Sequence, residues 1–237
     1  MNPKKARTIG LILTGLGVGL LLVVHWMVMF WVPTEATMGV VQRIFYVHVP
    51  AAWTTYLAVG TAALASAAYL WLGEEKADAA AVAASEGALV FGAIVLISGP
   101  LWARNSWGSY WEWEPRLTFT LLLWCLVLGY FLVRGSVEDQ RKAKRFAAVV
   151  AIVASFDIPL IHVSVNWFRS LHPEPVVLRQ DGPQIDVDML TTLLTSVLAF
   201  TLLFFGLFTL RYAIEIGSRR AAALQHASDS AREAVAT

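Results

Sequence analysis

Six long apolar runs constrain the fold of this chain more than any other feature. They cover residues 9–31, 50–72, 83–102, 117–133, 146–163 and 189–212. A helix needs about 20 apolar residues to cross the roughly 30 Å hydrocarbon core of a bilayer. The composition agrees, because hydrophobic residues make up 57% of the chain and charged residues only 15%. We therefore predict an all-α membrane protein, a bundle of six transmembrane helices.

The basic residues between the runs predict the orientation of the bundle. Lysine and arginine are enriched in cytoplasmic segments of membrane proteins. One side collects Lys4, Lys5, Arg7, Lys76, Arg134, Arg141, Lys142, Lys144, Arg145, Arg211, Arg219, Arg220 and Arg232, and the other has Arg43, Arg104, Arg116, Arg169 and Arg179. The bias places both termini in the cytoplasm.

The same reading divides the chain into a membrane domain, residues 1–212, and a cytoplasmic C-terminal tail, residues 213–237, predicted to be helical. Loops 32–49, 103–116 and 164–188 are expected to face outward. The first apolar run is too long for a signal peptide and is not followed by a small-residue cleavage site, so we expect it to stay as the first helix.

Several kinds of chemistry have no signature in this sequence. It contains no GxxxxGK[ST] phosphate loop, so any ATP-driven step is expected to belong to a partner. It contains no CxxCH motif for covalent haem attachment, and the net charge of +1 gives no indication of nucleic-acid binding. The single cysteine, Cys125, can form no internal disulfide and is predicted to be a buried, apolar-like thiol.

The segment Trp107-Gly108-Ser109-Tyr110-Trp111-Glu112-Trp113-Glu114 carries four aromatic rings within seven residues. Such rings suit either stacking on a large flat apolar ligand or anchoring at the membrane surface. A helical segment would place Trp107, Trp111 and Glu114 on one face, and an extended one would pair Trp111 with Trp113. Either conformation predicts a platform of co-facial rings lying flat at the interface. Trp102, which follows a predicted break at residues 98–100, would extend it.

Three of the five histidines lie in or near the outward segments. His48 precedes the second run, His162 lies near the outer end of the fifth, and His172 lies in the loop before the sixth. Two imidazoles from separate segments can ligate a metal or a haem iron from both sides. Taken singly, each is more often an interfacial residue. The arginines flanking the outward segments suit haem propionates or ordinary snorkelling to the interface; they are Arg43, Arg104, Arg116 and Arg169.

These segments resemble those of a known protein family. The tryptophan-rich segment is similar to the WWD signature, WGxxWxWD, of haem-handling proteins in cytochrome c biogenesis. Together with Arg43-Ile44-Phe45-Tyr46-Val47-His48-Val49-Pro50-Ala51-Ala52-Trp53 and Pro159-Leu160-Ile161-His162-Val163-Ser164-Val165-Asn166-Trp167, it resembles the haem exporter protein C family, or cytochrome c maturation protein C, of the system I pathway. The resemblance covers nearly the whole chain.

The resemblance implies a function that composition could not. Members bind haem b transiently and non-covalently at the periplasmic face of the bacterial inner membrane and present it to a periplasmic haem chaperone. They work beside ABC-type ATPase and permease subunits and a small single-helix subunit. The family's axial histidines fall on His48 and His172, and His162 has a supporting role. Together with the aromatic and charged residues described above, the candidate haem site comprises Arg43, His48, Trp102, Trp107, Gly108, Tyr110, Trp111, Trp113, Glu114, Arg116 and His172.

Two positions depart from the family pattern. Tyr110 stands where many members have Trp, and Glu114 stands where the signature has Asp. Pro115 suits the first turn of a helix, which makes Glu114 its N-cap. Glu caps poorly, at a cost of about 0.5–1 kcal/mol. We therefore favour a charge role for Glu114, such as pairing with Arg116, over capping alone.

Asp157 is an acid within the fifth apolar run, two residues before Pro159. A buried acid in a membrane span is costly unless paired or hydrated, and often marks a functional site. We predict instead that it is a cap or a hydrogen-bond partner for the backbone freed by the proline. A short amphipathic helix through Val165, Phe168 and His172 is also expected from their spacing.

Four functions fit a protein of this kind. The leading one is haem binding and delivery, without catalysis by this chain. A system II-like cytochrome c synthase core would need more helices and a large soluble portion. A cytochrome b-like electron carrier needs paired intramembrane histidines, and only His25 and His162 lie within spans. A haem-translocating permease subunit is the fourth, although the spans show no polar stripe.

Overall fold

The computed structural model describes residues 3–168, 172, 177 and 182–236, and these are almost entirely helical. Six spans within them are long and apolar enough to cross a membrane. They are Pro3–Trp31, Val40–Leu72, Glu75–Trp107, Pro115–Ser136, Gln140–Val165 and Val187–Arg232. Each contains one of the predicted apolar runs, which confirms the predicted bundle of six transmembrane helices.

The described residues form seven α-helices. They are α1 (Pro3–Trp26), α2 (Phe45–Leu72), α3 (Glu75–Trp107), α4 (Pro115–Ser136), α5 (Gln140–Ser155), α6 (Asp157–Trp167) and α7 (Val187–Ala236). A π-helical turn, Met27–Trp31, extends α1, and a 3₁₀ turn, Val40–Ile44, leads into α2.

The helices enter the ranges predicted as outward loops. The second helix begins at Phe45, so His48 lies in its first turn rather than in a loop, and α3 continues to Trp107. Backbone hydrogen bonding continues into the interfacial region, where polar side chains are tolerated, whereas hydropathy follows only the apolar part of a helix. The predicted break at residues 98–100 is wrong, because Pro100 lies inside α3.

The fifth span is broken in the middle. Helix α5 ends at Ser155 and α6 begins at Asp157, with Phe156 between them. Pro159 has no N–H to donate and its ring crowds the carbonyl four residues earlier, which belongs to Ser155. Asp157 is only 4% exposed, and its two carboxylate oxygens have no hydrogen-bond partner in the described structure. The prediction that Asp157 is a cap or a hydrogen-bond partner for the freed backbone is therefore wrong.

Helices α1 and α7 pack closely through glycines. A Cβ atom added to Gly17 would lie 2.7 Å from the backbone nitrogen of Leu203, and one added to Gly10 would lie 2.7 Å from Leu210 Cγ. Gly206 on α7 faces Thr14 in the same way. Small residues let two backbones approach in a membrane, where packing rather than water exclusion holds helices together.

Helix α2 lies at the centre of the bundle and packs against α3, α5 and α7. Its Ala58 and Val59 are buried against Phe91 of α3 and Phe204 of α7. The Phe91 and Phe204 rings meet edge to face, with centroids 6.3 Å apart. This packing holds the beginning of α2 beside the end of α3, where the candidate site lies.

Charged side chains collect at the opposite end of the bundle, where α2 ends and α3 begins. The buried carboxylate of Asp78 accepts hydrogen bonds from Arg134 of α4 at 2.6 and 3.0 Å and from Arg219 of α7 at 2.6 Å. Arg219 also donates to Glu75 at 2.6 Å. A buried carboxylate needs such partners, because an unpaired buried charge is strongly destabilising. The network ties α3, α4 and α7 together.

Cys125 is exposed on α4, so the predicted burial of its thiol is wrong. It lies within a transmembrane span, where the surrounding solvent is lipid and an apolar-like thiol needs no protein cover. Helix α7 continues through residue 212 to Ala236, so the tail predicted for residues 213–237 is helical as far as the structure describes it.

Candidate functional site

A cavity of about 460 Å³ opens at the end of the bundle where α2 begins and α3 ends. Its walls come from the segment before α2, from α2, α3 and α4, from Trp111 between α3 and α4, and from His172. Six residues of the predicted haem site line it: His48, Trp102, Trp107, Trp111, Arg116 and His172. Of the other predicted residues, which are also described, Arg43, Gly108, Tyr110, Trp113 and Glu114 do not line it.

His48 is held by α3. Its Nδ1 lies 2.9 Å from the hydroxyl oxygen of Ser98. The edge of its ring meets the Trp102 indole, with centroids 5.7 Å apart and planes at 74°. Both partners are on α3, so the pairing of α2 with α3 determines where this imidazole points.

His172 reaches the same cavity from a segment far along the chain. Its ring lies beside Trp107, the last residue of α3, with centroids 6.5 Å apart. Helix α6 ends at Trp167, and Phe168 is extended, so the amphipathic helix predicted through His172 is wrong. Arg169, a predicted propionate partner, lies outside the described residues.

The tryptophan-rich segment, residues 107–114, follows neither predicted conformation over its whole length. Helix α3 stops at Trp107 because Gly108 adopts a left-handed backbone with φ of 84°, which glycine alone adopts without strain. Arg104 donates to the Gly108 carbonyl, and its guanidinium carbon lies 5.6 Å from the Tyr110 ring centroid. Beyond this turn the chain has no regular secondary structure up to Glu114, whose own backbone is extended.

This irregular stretch brings two indoles together, but not as a flat platform. Trp111 and Trp113 have ring centroids 5.6 Å apart and planes at 77°, an edge-to-face contact. The prediction of co-facial rings is wrong for this pair. Trp111 lines the cavity, and its buried Nε1–H has no hydrogen-bond acceptor in the described structure. Trp113 is 76% exposed.

The charged residues of the predicted haem site also differ in whether they line the cavity. Arg116 of α4 lines the cavity. Glu114 occupies the N-cap position of α4, but its side chain makes no capping hydrogen bond. The ion pairs found among the described residues do not include one between Glu114 and Arg116, and the charge role of Glu114 stays a prediction. Arg43 lies in the 3₁₀ turn before α2, and its buried Nε lacks a hydrogen-bond partner in the described structure.

Sequence reasoning missed two residues that shape the cavity. The sequence indicates Ser98 only as part of the predicted break at residues 98–100. Met38, in the segment before α2, accepts hydrogen bonds at its sulfur from Trp102 Nε1 at 3.3 Å and Ser106 Oγ at 3.8 Å. A methionine in a polar loop carries no sequence signal for such a contact.

His162 lies beside the cavity rather than in its wall. Its Nδ1–H donates to the Ile158 carbonyl at 3.0 Å, and its ring meets Tyr56, a cavity residue, with centroids 5.1 Å apart. The described residues contain no cluster of three or more His, Cys, Asp or Glu side chains able to hold a metal ion. The cavity offers two separate imidazoles, His48 and His172, in a mainly apolar wall that includes three tryptophans.

Comparison with known proteins gives one consistent result. A family model described as Heme exporter protein C matches residues 4–227 of the chain. A Heme exporter protein C from Bradyrhizobium diazoefficiens is 37% identical over 193 residues, covering 81% of this chain and 73% of the relative. Proteins of the same name from Haemophilus influenzae and Escherichia coli (strain K12) are 30% and 34% identical, covering 85% and 77% of this chain and 80% and 74% of the relatives.

Proposed function

Because the chain belongs to the haem exporter protein C family, we propose that it binds haem b transiently and delivers it for c-type cytochrome biogenesis. Haem is the cargo, and this chain makes no bond to it beyond coordination. The observation that carries the proposal is the cavity, which brings His48 and His172 together from sequence positions far apart.

The chemistry of the cavity suits haem. Its volume of about 460 Å³ is in the range of small-molecule and cofactor sites. Tryptophans 102, 107 and 111 offer apolar surface to a porphyrin ring, and His48 and His172 offer imidazole nitrogens to the iron. The unpartnered Trp111 Nε1–H and the Arg116 guanidinium are donors that propionate carboxylates can accept from.

The distribution of charge supports a periplasmic site. The basic residues predicted to be cytoplasmic include Arg134, Lys144, Arg211 and Arg219, and these form ion pairs at the end opposite the cavity. Under the positive-inside rule the cavity then faces the periplasm. We propose that a periplasmic haem chaperone takes haem from this end.

The partners follow from what the chain lacks and from its family. Its sequence has no phosphate-binding loop, so the energy of ATP is supplied by an ABC-type ATPase and permease pair, with a small single-helix subunit beside them. An electron-carrier function has less support. His25 and His162 lie on α1 and α6, but α1 packs mainly against α7 and α6 mainly against α4.

Spectra of histidine variants test the haem site. We expect the protein purified in detergent with haem to give a low-spin absorption and electron paramagnetic resonance signal. His48→Ala and His172→Ala should each lose it, because one axial imidazole is gone. His226→Ala, in the exposed end of α7, is the matched control and should keep it. Unchanged bis-imidazole spectra in both site variants would disprove the axial assignment.

A further inference from the structure

We infer that Ser98 is the positioning residue for His48: it holds the imidazole with Nδ1 protonated, so that Nε2 is the nitrogen available to haem iron. The inference deepens the proposed function and rests on it for the role of His48. It requires no contact between Ser98 and haem.

The hydrogen bonds of Ser98 allow only one placement of its hydroxyl proton and of the ring proton of His48. The Ser98 Oγ lies 2.6 Å from the Ile94 carbonyl oxygen, one turn earlier on α3, and 2.9 Å from His48 Nδ1. A carbonyl can only accept, so the single hydroxyl proton of Ser98 is donated to Ile94. The contact with His48 then needs a proton on Nδ1, and the neutral ring keeps its lone pair on Nε2.

The surroundings of His48 hold this orientation. A Cβ atom added to Gly99 would lie 3.3 Å from His48 Cε1, so the backbone of α3 passes close beside the ring. Trp102, one turn further along α3, closes another side of the ring. Ser98 itself is only 9% exposed, which keeps water from replacing it as the partner of Nδ1. The His48 ring is thus held by three residues of one helix.

The expected consequence concerns ligand strength as well as geometry. A ligating histidine usually donates its second N–H to an acceptor that fixes its tautomer and ring orientation, and loss of that acceptor typically costs about 10–100-fold in metal affinity. Without Ser98, the Nδ1–H of His48 loses its acceptor, and the ring can rotate or exchange tautomers.

The first test reads the tautomer without haem. In protein labelled with 15N-histidine, the His48 signals, assigned by their loss in His48→Gln, should show a protonated Nδ1 and an unprotonated Nε2. In Ser98→Ala this preference should weaken, and Ser98→Thr should restore it, because threonine keeps the hydroxyl and the same bond to the preceding turn. A wild-type His48 protonated at Nε2 would overturn the inference, even if Ser98→Ala failed to fold.

The second test reads haem binding. We expect Ser98→Ala to weaken haem affinity about 10–100-fold and to shift the g values of the low-spin signal, with Ser98→Thr close to wild type. Ser85→Ala, also buried on α3 but away from the cavity, is the matched control. Wild-type affinity and g values in Ser98→Ala would overturn the inference. One outcome separates the two proposals: the predicted tautomer is found and depends on Ser98, while neither the wild type nor any variant binds haem. In that case the proposed function fails, and the positioning of His48 by Ser98 stands.

Discussion

At the scale of single residues, two tryptophans of the same segment have different environments. Trp111 lines the cavity with a buried indole N–H that lacks an acceptor, whereas Trp113, two residues later, is largely exposed. A buried unpaired donor costs free energy, and it is often explained by a ligand that supplies the acceptor. Trp113, by contrast, suits the membrane interface, where an indole can contact both lipid and water.

Replacing each of these tryptophans by phenylalanine separates the two roles. We expect Trp111→Phe to weaken haem affinity about 10–100-fold, because a hydrogen bond to a charged group contributes about 1.5–3 kcal/mol. Trp113→Phe, the same chemical change two residues away, should alter affinity less than twofold. Titration of haem into the detergent-solubilised variants, followed by absorbance, measures both. Equal losses in the two variants would contradict a ligand role for the Trp111 N–H.

At the scale of helices, α1 depends on glycines for its contact with α7. Gly17 has no room for a side chain against the Leu203 backbone, whereas Gly19 on the same helix has nothing within 4 Å of the corresponding position. Only the face of α1 that carries Gly10 and Gly17 meets α7. The rest of α1 displays large apolar residues such as Leu11 and Leu22, as expected for contact with lipid.

Because of this difference, replacing glycine by alanine should change the free energy of unfolding differently at positions 17 and 19. Gly17→Ala should destabilise the protein by about 1–3 kcal/mol, because the added methyl group forces two backbones apart. Gly19→Ala should be neutral or stabilising by up to about 1 kcal/mol, since alanine is the better helix former. Thermal unfolding in detergent, monitored by tryptophan fluorescence, tests both. A lower melting temperature for Gly19→Ala than for Gly17→Ala would contradict the close packing of α1 on α7.

At the scale of the whole molecule, the two ends of the bundle differ in chemistry. One end carries the ion-pair network centred on Asp78, and the other carries the cavity lined by Trp102, Trp107 and Trp111. The network is built from basic residues that the positive-inside rule assigns to the cytoplasm. The orientation of the molecule therefore decides to which side of the membrane the cavity opens.

Cysteine labelling in intact cells tests that orientation. In a Cys125→Ala background, we expect Ala36→Cys, exposed near the cavity, to react with a membrane-impermeant maleimide after the outer membrane is opened. Ala222→Cys, exposed on the far part of α7, should react only after the inner membrane is also permeabilised. The reverse pattern would place the cavity in the cytoplasm and exclude delivery to a periplasmic chaperone.

Much of the fold could be predicted from the sequence, because the bilayer requires long apolar helices and each of them is local in sequence. The six spans and the N-cap position of Glu114 both come from short stretches of chain. The break at Phe156 also has a local cause in Pro159. Pro100 lies inside an unbroken helix, so proline alone did not decide where helices end.

The arrangement of the site was decided only by the tertiary structure. The sequence by itself indicated His48, His172 and the tryptophans as candidates, since residue type and spacing carry that chemistry. It could not indicate that Ser98 meets His48, that Trp111 faces the cavity while Trp113 faces away, or that Cys125 is exposed. These depend on how α2, α3 and α4 pack, and packing joins residues distant in sequence whose pairing leaves no local pattern. In a membrane the exposed surface is apolar too, so hydropathy alone does not distinguish the lipid-facing side of a helix from its buried side.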